Sequence, residues 1–201
     1  MIAAPDLLVV GALSIDRFAD GSTAPGGSVL HAARAVTATG GRVATIASAG
    51  TEREAREALA ELAGLGQCLV HHTAATTRFA IDERSARRRM VLETAGGELR
   101  IAAREMDRVG AAAVLLAPIA GELDASAFRA ARSVPVRVAA LQGWLRTLHP
   151  GAEVSPLELR ALAADLVTEL SQMNALVASV EDLVAEGLSP DGQLDALRGL
   201  V

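Results

Sequence analysis

The sequence predicts an α/β fold, a mostly parallel sheet doubly wound by helices on its two faces. Three observations predict it. Short continuous apolar runs such as "DLLVVGAL" and "RVATIASAG" read as strands buried on both faces. Helical stretches separate these runs, and strands alternating with helices give a parallel sheet. With 51% of its 201 residues apolar, the chain can bury one sizeable core, which predicts a single domain over residues 1–201 and argues against global disorder.

In chain order, "DLLVVGAL" is the first strand. Val29 to Thr39 has Ala-rich helical spacing and ends at Gly40-Gly41; "RVATIASAG" is the next strand. "TEREAREALAELAGLG" is an amphipathic helix with Thr51 as N-cap and acids in its first turn, stopped by Gly64 and Gly66. Then "TTRFAID" and "RRRMVLET" alternate apolar with polar residues around the turn-like "ERSA", which predicts a β-hairpin with one wet face within residues 76–95. The αβ rhythm returns with "AAAVLLAP" as a strand, "DASAFRAARS" as a helix capped by Asp124, and "VRVAAL" as a strand. "LELRALAADLVTEL" reads as one helix, "NALVAS" as a short strand, and "VEDLVAEG" and "DGQLDALRG" as helical pieces.

Composition excludes several functions. The formal charge is −5, every basic residue is arginine, and only Arg87 to Arg89 cluster, so there is no nucleic-acid footprint; that triplet reads as the solvated face of the hairpin. The N-terminal "MIAAPDLLVVGALSID" has no basic leader and only a short apolar segment, which predicts neither a signal peptide nor a membrane span and makes the cytoplasm the expected compartment. Cys68, in an apolar run, reads as an inert buried thiol. His71 and His72 are neighbours on a strand and point to opposite faces, a poor arrangement for one metal ion. Trp144 is either a half-buried loop anchor or a stacking surface for a ligand.

In "APGGSVLHAARA" a Gly-Gly pair opens a helix, where unpartnered backbone N–H groups can face an anion. It is not a P-loop, because a chain without lysine cannot supply that motif's phosphate-reaching side chain. Nor is it a dinucleotide fingerprint, since the glycines lie too far beyond the first strand. On residues alone, Gly26 and Gly27 serve a turn of positive φ or a close approach of helix to sheet.

Taken in order, "VVGALSID", "PGGSVLHAARA" and "RVATIASAGTE" resemble the ribokinase, or PfkB, family of carbohydrate and nucleoside kinases. The later "TTRFAIDERSARRRMVLET", "LLAPIAGEL" and "ALQGWLR" fit the same series, so the resemblance covers nearly the whole chain. It implies a ribokinase-like fold in which the hairpin of residues 76–95 is a lid. It also implies an acceptor pocket: Asp16 takes hydrogen bonds from two acceptor hydroxyls, and Gly26 with Gly27 begins the helix lining the site. Without the resemblance, Asp16 reads as a turn cap. His31 stands where the family often has Asn, and Ile46-Ala47 where it has Ile-Gly. Arg146 is either a partner for a phosphate or carboxylate, or a solvated loop arginine. Asp182, in "SVED", occupies the place of a carboxylate near the metal, with the accompanying amide lost. ATP and Mg²⁺ are the implied cofactors.

The family's Gly-Ala-Gly-Asp motif, which supplies the catalytic base and the anion hole, has no counterpart here, and no Gly-Asp dipeptide occurs in the sequence. Asp191, in "SPDGQLD", reads as part of a turn before a helix and does not replace it. The expectation is a C-terminally incomplete fold with no catalytic residue assigned, sheet surface left uncovered, and a second copy or a complementing C-terminal part as partner. Two main readings stand. One is a carbohydrate or nucleoside kinase lineage, inactive as this chain, with a small sugar-like or nucleoside acceptor. The other is a non-catalytic protein that binds a sugar-like ligand or a partner. A generic α/β domain with an accidental likeness is the third.

Overall fold

The computed structural model describes residues 4–84, 88–187 and 189–200. Ser85 and Ala86 of the expected turn, and Arg87 of the arginine triplet, lie outside the described residues. The chain opens with β1 (Leu7–Ala12), β2 (Ser14–Phe18), β3 (Thr23–Gly26) and α1 (Ser28–Ala38). Next come β4 (Val43–Ala49), α2 (Arg53–Leu65), β5 (Gly66–His72), β6 (Thr77–Asp82) and β7 (Arg89–Thr94). The second half contains α3 (Ala103–Val109), β8 (Ala113–Leu116), α4 (Ala125–Ala130), β9 (Val136–Ala140), β10 (Arg146–Thr147) and β11 (Ser155–Pro156), then α5 (Ala164–Leu170), β12 (Ala175–Val177) and α6 (Pro190–Arg198).

Six strands form the central sheet in the order β12-β9-β8-β1-β4-β5, all in parallel. The apolar run of β1 sits in the middle because both of its faces are covered. Leu8 and Val10 pack with Val114, Leu116, Met106 and Phe128 on one side; Val9 packs with Val29, Leu30, Ala33, Ala58 and Leu62 on the other. The period-2 alternation of a strand divides its side chains between the two layers in this way. Each large side chain so buried contributes roughly 1.5–3 kcal/mol relative to exposure.

A second sheet, ordered β3-β2-β6-β7, lies at the end where β1 leaves the first. The expected hairpin is its β6–β7 pair, antiparallel, and β2 joins β6 in parallel. Phe79, Ile81 and Leu92 pack with Ala12 and Ile119, joining this sheet to the ends of β1 and β8. The hairpin is therefore half of a four-stranded sheet, whereas the sequence suggested only two strands.

Three local expectations are corrected. Thr51 does not cap α2: Glu52 is the N-cap residue, and its carboxylate turns away to accept the Thr76 N–H and hydroxyl, both at 2.9 Å. "LELRALAADLVTEL" is not one helix: a short 3-10 turn at Leu159–Ala161 and α5 are separated by extended backbone at Leu162 and Ala163, with Leu159 and Leu166 both buried. Tertiary burial overrides the helical spacing there. Asp191 lies inside the first turn of α6, which Ser189 caps by accepting the Gly192 N–H at 3.3 Å. No helix among the described residues is long and apolar enough to cross a membrane.

Candidate functional site

Between the two sheets, where β1 ends, lies a cavity of about 140 Å³. It is lined by Asp16, Gly27, His31 and Arg146, four of the five residues the sequence assigned to an acceptor pocket. Gly26 lies directly behind Asp16. The volume equals about five waters at ~30 Å³ each, which suits a small molecule.

Asp16 is carried by β2, paired with Ala24 of β3 and Phe79 of β6, so sheet pairing on both sides fixes its backbone. Its Oδ1 accepts the Ser14 hydroxyl at 2.8 Å, and Oδ2 lies over Gly26. Burial pushes the Asp16 carboxyl above its ordinary value; the Ser14 hydrogen bond and the charges of Arg88 and His31 oppose that rise. The expected turn-cap role does not appear: Asp16 is a mid-strand residue facing a cavity.

The glycine pair has two separate jobs. A Cβ on Gly26 would stand 2.4 Å from Asp16 Oδ2, so this glycine makes room for the carboxylate. Gly27 has φ 96°, and a Cβ there would stand 2.4 Å from the Ala12 carbonyl oxygen. Positive φ and close backbone approach are both conditions that favour glycine. Gly27 is the N-cap of α1, and its carbonyl accepts the N–H groups of Leu30 and His31. His31 is thereby set on the first turn at the mouth of the cavity, exposed.

Arg146 reaches the cavity from β10 with only 16% of its side chain exposed. Burial pushes its guanidinium below the ordinary value, and Asp182 opposes this from 3.7 Å. It is thus an interior arginine and not a solvated one. The Asp182 carboxylate is already engaged: Oδ2 accepts the Ser179 N–H and hydroxyl at 2.9 Å, and Oδ1 faces Arg146. No group of three or more His, Cys, Asp or Glu side chains among the described residues could hold a metal. A guanidinium neighbour and hydroxyl donors are the surroundings of a charge anchor. The residues around Asp182 do not by themselves fit Mg²⁺.

Several lining residues went unassigned from the sequence. Ser14, Ser28, Arg88 and Gln142 add polar groups, and Phe79, Met90 and Ile119 add apolar wall. Glu122, fully buried, accepts the backbone N–H groups of Ala12 at 2.8 Å, Ile119 at 3.1 Å and Ala120 at 2.9 Å. It ties the loop after β8 to the end of β1. Nothing in "IAGELD" distinguishes this acid from a surface one, because its partners are backbone groups brought in by the fold.

Other candidates fall away. The Trp144 indole donates to the Leu123 carbonyl at 2.7 Å, and its ring lies 5.2 Å from that of Phe128; at 7% exposure it is a core anchor, not a stacking surface. His71 pairs with Glu105 at 2.9 Å, outside the cavity. Burial pushes the half-buried Cys68 thiol up, away from reactivity.

No protein-family model and no curated protein matches the chain. Solved structures match it in fold. A pyrophosphate-dependent kinase in the ribokinase family, complexed with a pyrophosphate analogue and myo-inositol, superposes with TM-score 0.77 at 18% identity, over 96% of this chain and 69% of that one. A ribokinase from Thermotoga maritima gives 0.64 at 14% identity, over 98% and 69%. A PfkB protein from Polaromonas sp. JS666 gives 0.65 at 16% identity, over 98% and 74%. The chain has the ribokinase-like fold.

Proposed function

We propose that this chain binds a small polyol, a sugar or cyclitol, in the cavity between its sheets, as the acceptor-binding part of a ribokinase-type carbohydrate kinase. One observation carries this reading: Asp16 is a desolvated carboxylate aimed into a small cavity from a strand paired on both sides, with a glycine cleared behind it. Two vicinal hydroxyls are the donors such a carboxylate suits, and charge-assisted hydrogen bonds strengthen away from water. The myo-inositol bound by one structural neighbour supports the substrate class.

In this reading Asp16 holds the acceptor hydroxyls, Gly26 and Gly27 allow the ligand close to backbone, His31 and Arg146 bound the pocket, and the β6–β7 hairpin covers it as a lid. ATP and Mg²⁺ belong to the kinase reading. The 201-residue chain is expected to bind without phosphorylating, since its sequence contains no Gly-Ala-Gly-Asp segment to supply a base. A second reading, a partner-binding protein, draws on Val177, the last residue of the outer strand β12, and Val180, three residues beyond it, which are 53% and 63% exposed. Light scattering that shows a dimer, disrupted by Val177→Asp with ligand binding intact, would favour it.

Calorimetric titration of the full chain with neutral and charged sugars and cyclitols tests the first reading. Binding of at least one, weakened tenfold or more in Asp16→Asn, is the expected result. A folded protein that gives no heat with any of them would sink it.

A further inference from the structure

We infer that the polyol taken by this cavity is anionic, carrying a phosphate or carboxylate group that Arg146 and Arg88 hold while its hydroxyls meet Asp16. The inference rests on the preceding reading of the cavity and narrows its substrate class.

Hydrogen-bond donors without acceptors are the basis. Among the described residues the Arg146 guanidinium donates no hydrogen bond: its nearest carboxylate, Asp182, stands at 3.7 Å, and one oxygen of that carboxylate is already taken by Ser179. A guanidinium has five N–H donors in a rigid fork and no acceptor. With 16% of the side chain exposed and the cavity beside it, those donors face the space a ligand would fill. These donors open onto the cavity and are not sealed from solvent, so an oxyanion entering there replaces water and can accept two of them at once in bidentate geometry.

Arg88 adds to this. It enters the cavity lining from the residue before β7, and its nearest carboxylate is Glu83 at 3.5 Å, a contact between two largely exposed side chains. Both arginines line the same cavity, and the charge of Arg88 opposes that of Arg146. An anion between them converts that repulsion into two attractions. The lining side chains Gln142 and Ser28 likewise make no hydrogen bond among the described residues and can donate. Among the described residues that line the cavity, Asp16 is the only carboxylate. A neutral polyol meets Asp16 but brings no charge to the two arginines, whose carboxylate neighbours stand at 3.5 and 3.7 Å; a polyol with an oxyanion meets both.

Matched pairs test this by titration calorimetry on the full chain: ribose against ribose 5-phosphate, myo-inositol against its monophosphate, and ribose against ribonate. A charged member is expected to bind at least tenfold tighter than its neutral partner, and whether the phosphates or the carboxylate gain more identifies the anion. Arg146→Gln should cost the charged ligand at least tenfold more affinity than its neutral partner, closing most of the gap between them. Because Arg146→Gln leaves Asp182 without its cation and can disturb folding, Arg88→Gln at the exposed position is the second variant, expected to weaken the charged ligands several-fold more than the neutral ones. Neutral members binding as tightly as charged ones would overturn the inference and leave the polyol reading standing. Failure of every polyol to bind the folded chain would overturn both.

Discussion

Oδ2 of Asp16 occupies the space in which a Cβ of residue 26 would lie, 2.4 Å away, so the absence of a side chain at Gly26 and the position of the Asp16 carboxylate are one feature. The Ser14 hydroxyl, 2.7 Å from the same point, crowds it further. Gly26→Ala must therefore push the carboxylate off its present position. Affinity for polyols should fall about tenfold, the equivalent of one charge-assisted hydrogen bond of roughly 1.5 kcal/mol. Circular dichroism should show the fold retained, since both neighbours are ends of short side chains at a cavity wall. Unchanged affinity in this variant would mean that the carboxylate position is not used.

Asp16 also makes a pH prediction. Its carboxyl lies above the ordinary value because burial disfavours the charged form. A raised carboxyl contributes stability that is complete below the unfolded value of 3.8 and lost as pH rises through the folded one. At pH 7 the ionised Asp16 is thus a cost to the fold, and Asp16→Asn should raise the thermal midpoint by a few degrees. Ligand affinity should move oppositely: it grows as pH rises through the Asp16 titration and is flat with pH in the Asn variant. A lower midpoint for Asp16→Asn at pH 7 would count against a desolvated carboxylate.

Much of this arrangement was legible in the chain because apolar runs and glycines report local constraints. β1, α1, β4, the β6–β7 pair and the Asp124 cap of α4 follow from burial periodicity and capping chemistry, and the structure has them. What stayed hidden depends on long-range partners. β2 and β3 come from "SIDRFADGSTAPGG", whose polar residues, glycines and proline carry no strand signal of their own; β2 is ordered by pairing with β3 and with the distant β6. Glu52 gives up its helix end for Thr76, twenty-four residues on. At the cavity, Asp16, Gly26 and Gly27 came from motif resemblance, whereas Gln142, Arg88 and Glu122 matter through where the fold sets them.

Glu122 yields the largest stability effect. Its carboxylate is the shared acceptor for the N–H groups of Ala12, Ile119 and Ala120, all at the base of the cavity wall. Glu122→Ala orphans these donors, and at about 1–3 kcal/mol for an unsatisfied buried group the loss should be at least about 3 kcal/mol in urea denaturation. Glu122→Gln keeps one oxygen but sets an NH₂ against a backbone N–H, so it should fall between the two. Ile119 lines the cavity, so ligand affinity should drop in both variants although Glu122 itself does not line it. Wild-type stability in Glu122→Ala would show that water replaces the carboxylate without cost.

Trp144 stands two residues from Gln142 and two from Arg146, both of which line the cavity, and its indole is fixed by the Leu123 carbonyl and the Phe128 ring. The buried ring therefore anchors the segment that presents the Arg146 guanidinium. Trp144→Phe removes the indole N–H, orphans the Leu123 carbonyl and leaves a void where the second ring lay, at a combined cost of about 2–3 kcal/mol. As the single tryptophan of the chain it reports its own environment. Its emission should be blue-shifted and resist quenching by iodide in the folded protein, and both properties should vanish together with the cooperative unfolding transition. In Trp144→Phe the charged polyols should lose several-fold more affinity than the neutral ones, because slack in this segment moves Arg146 while Asp16 stays held by its two neighbouring strands.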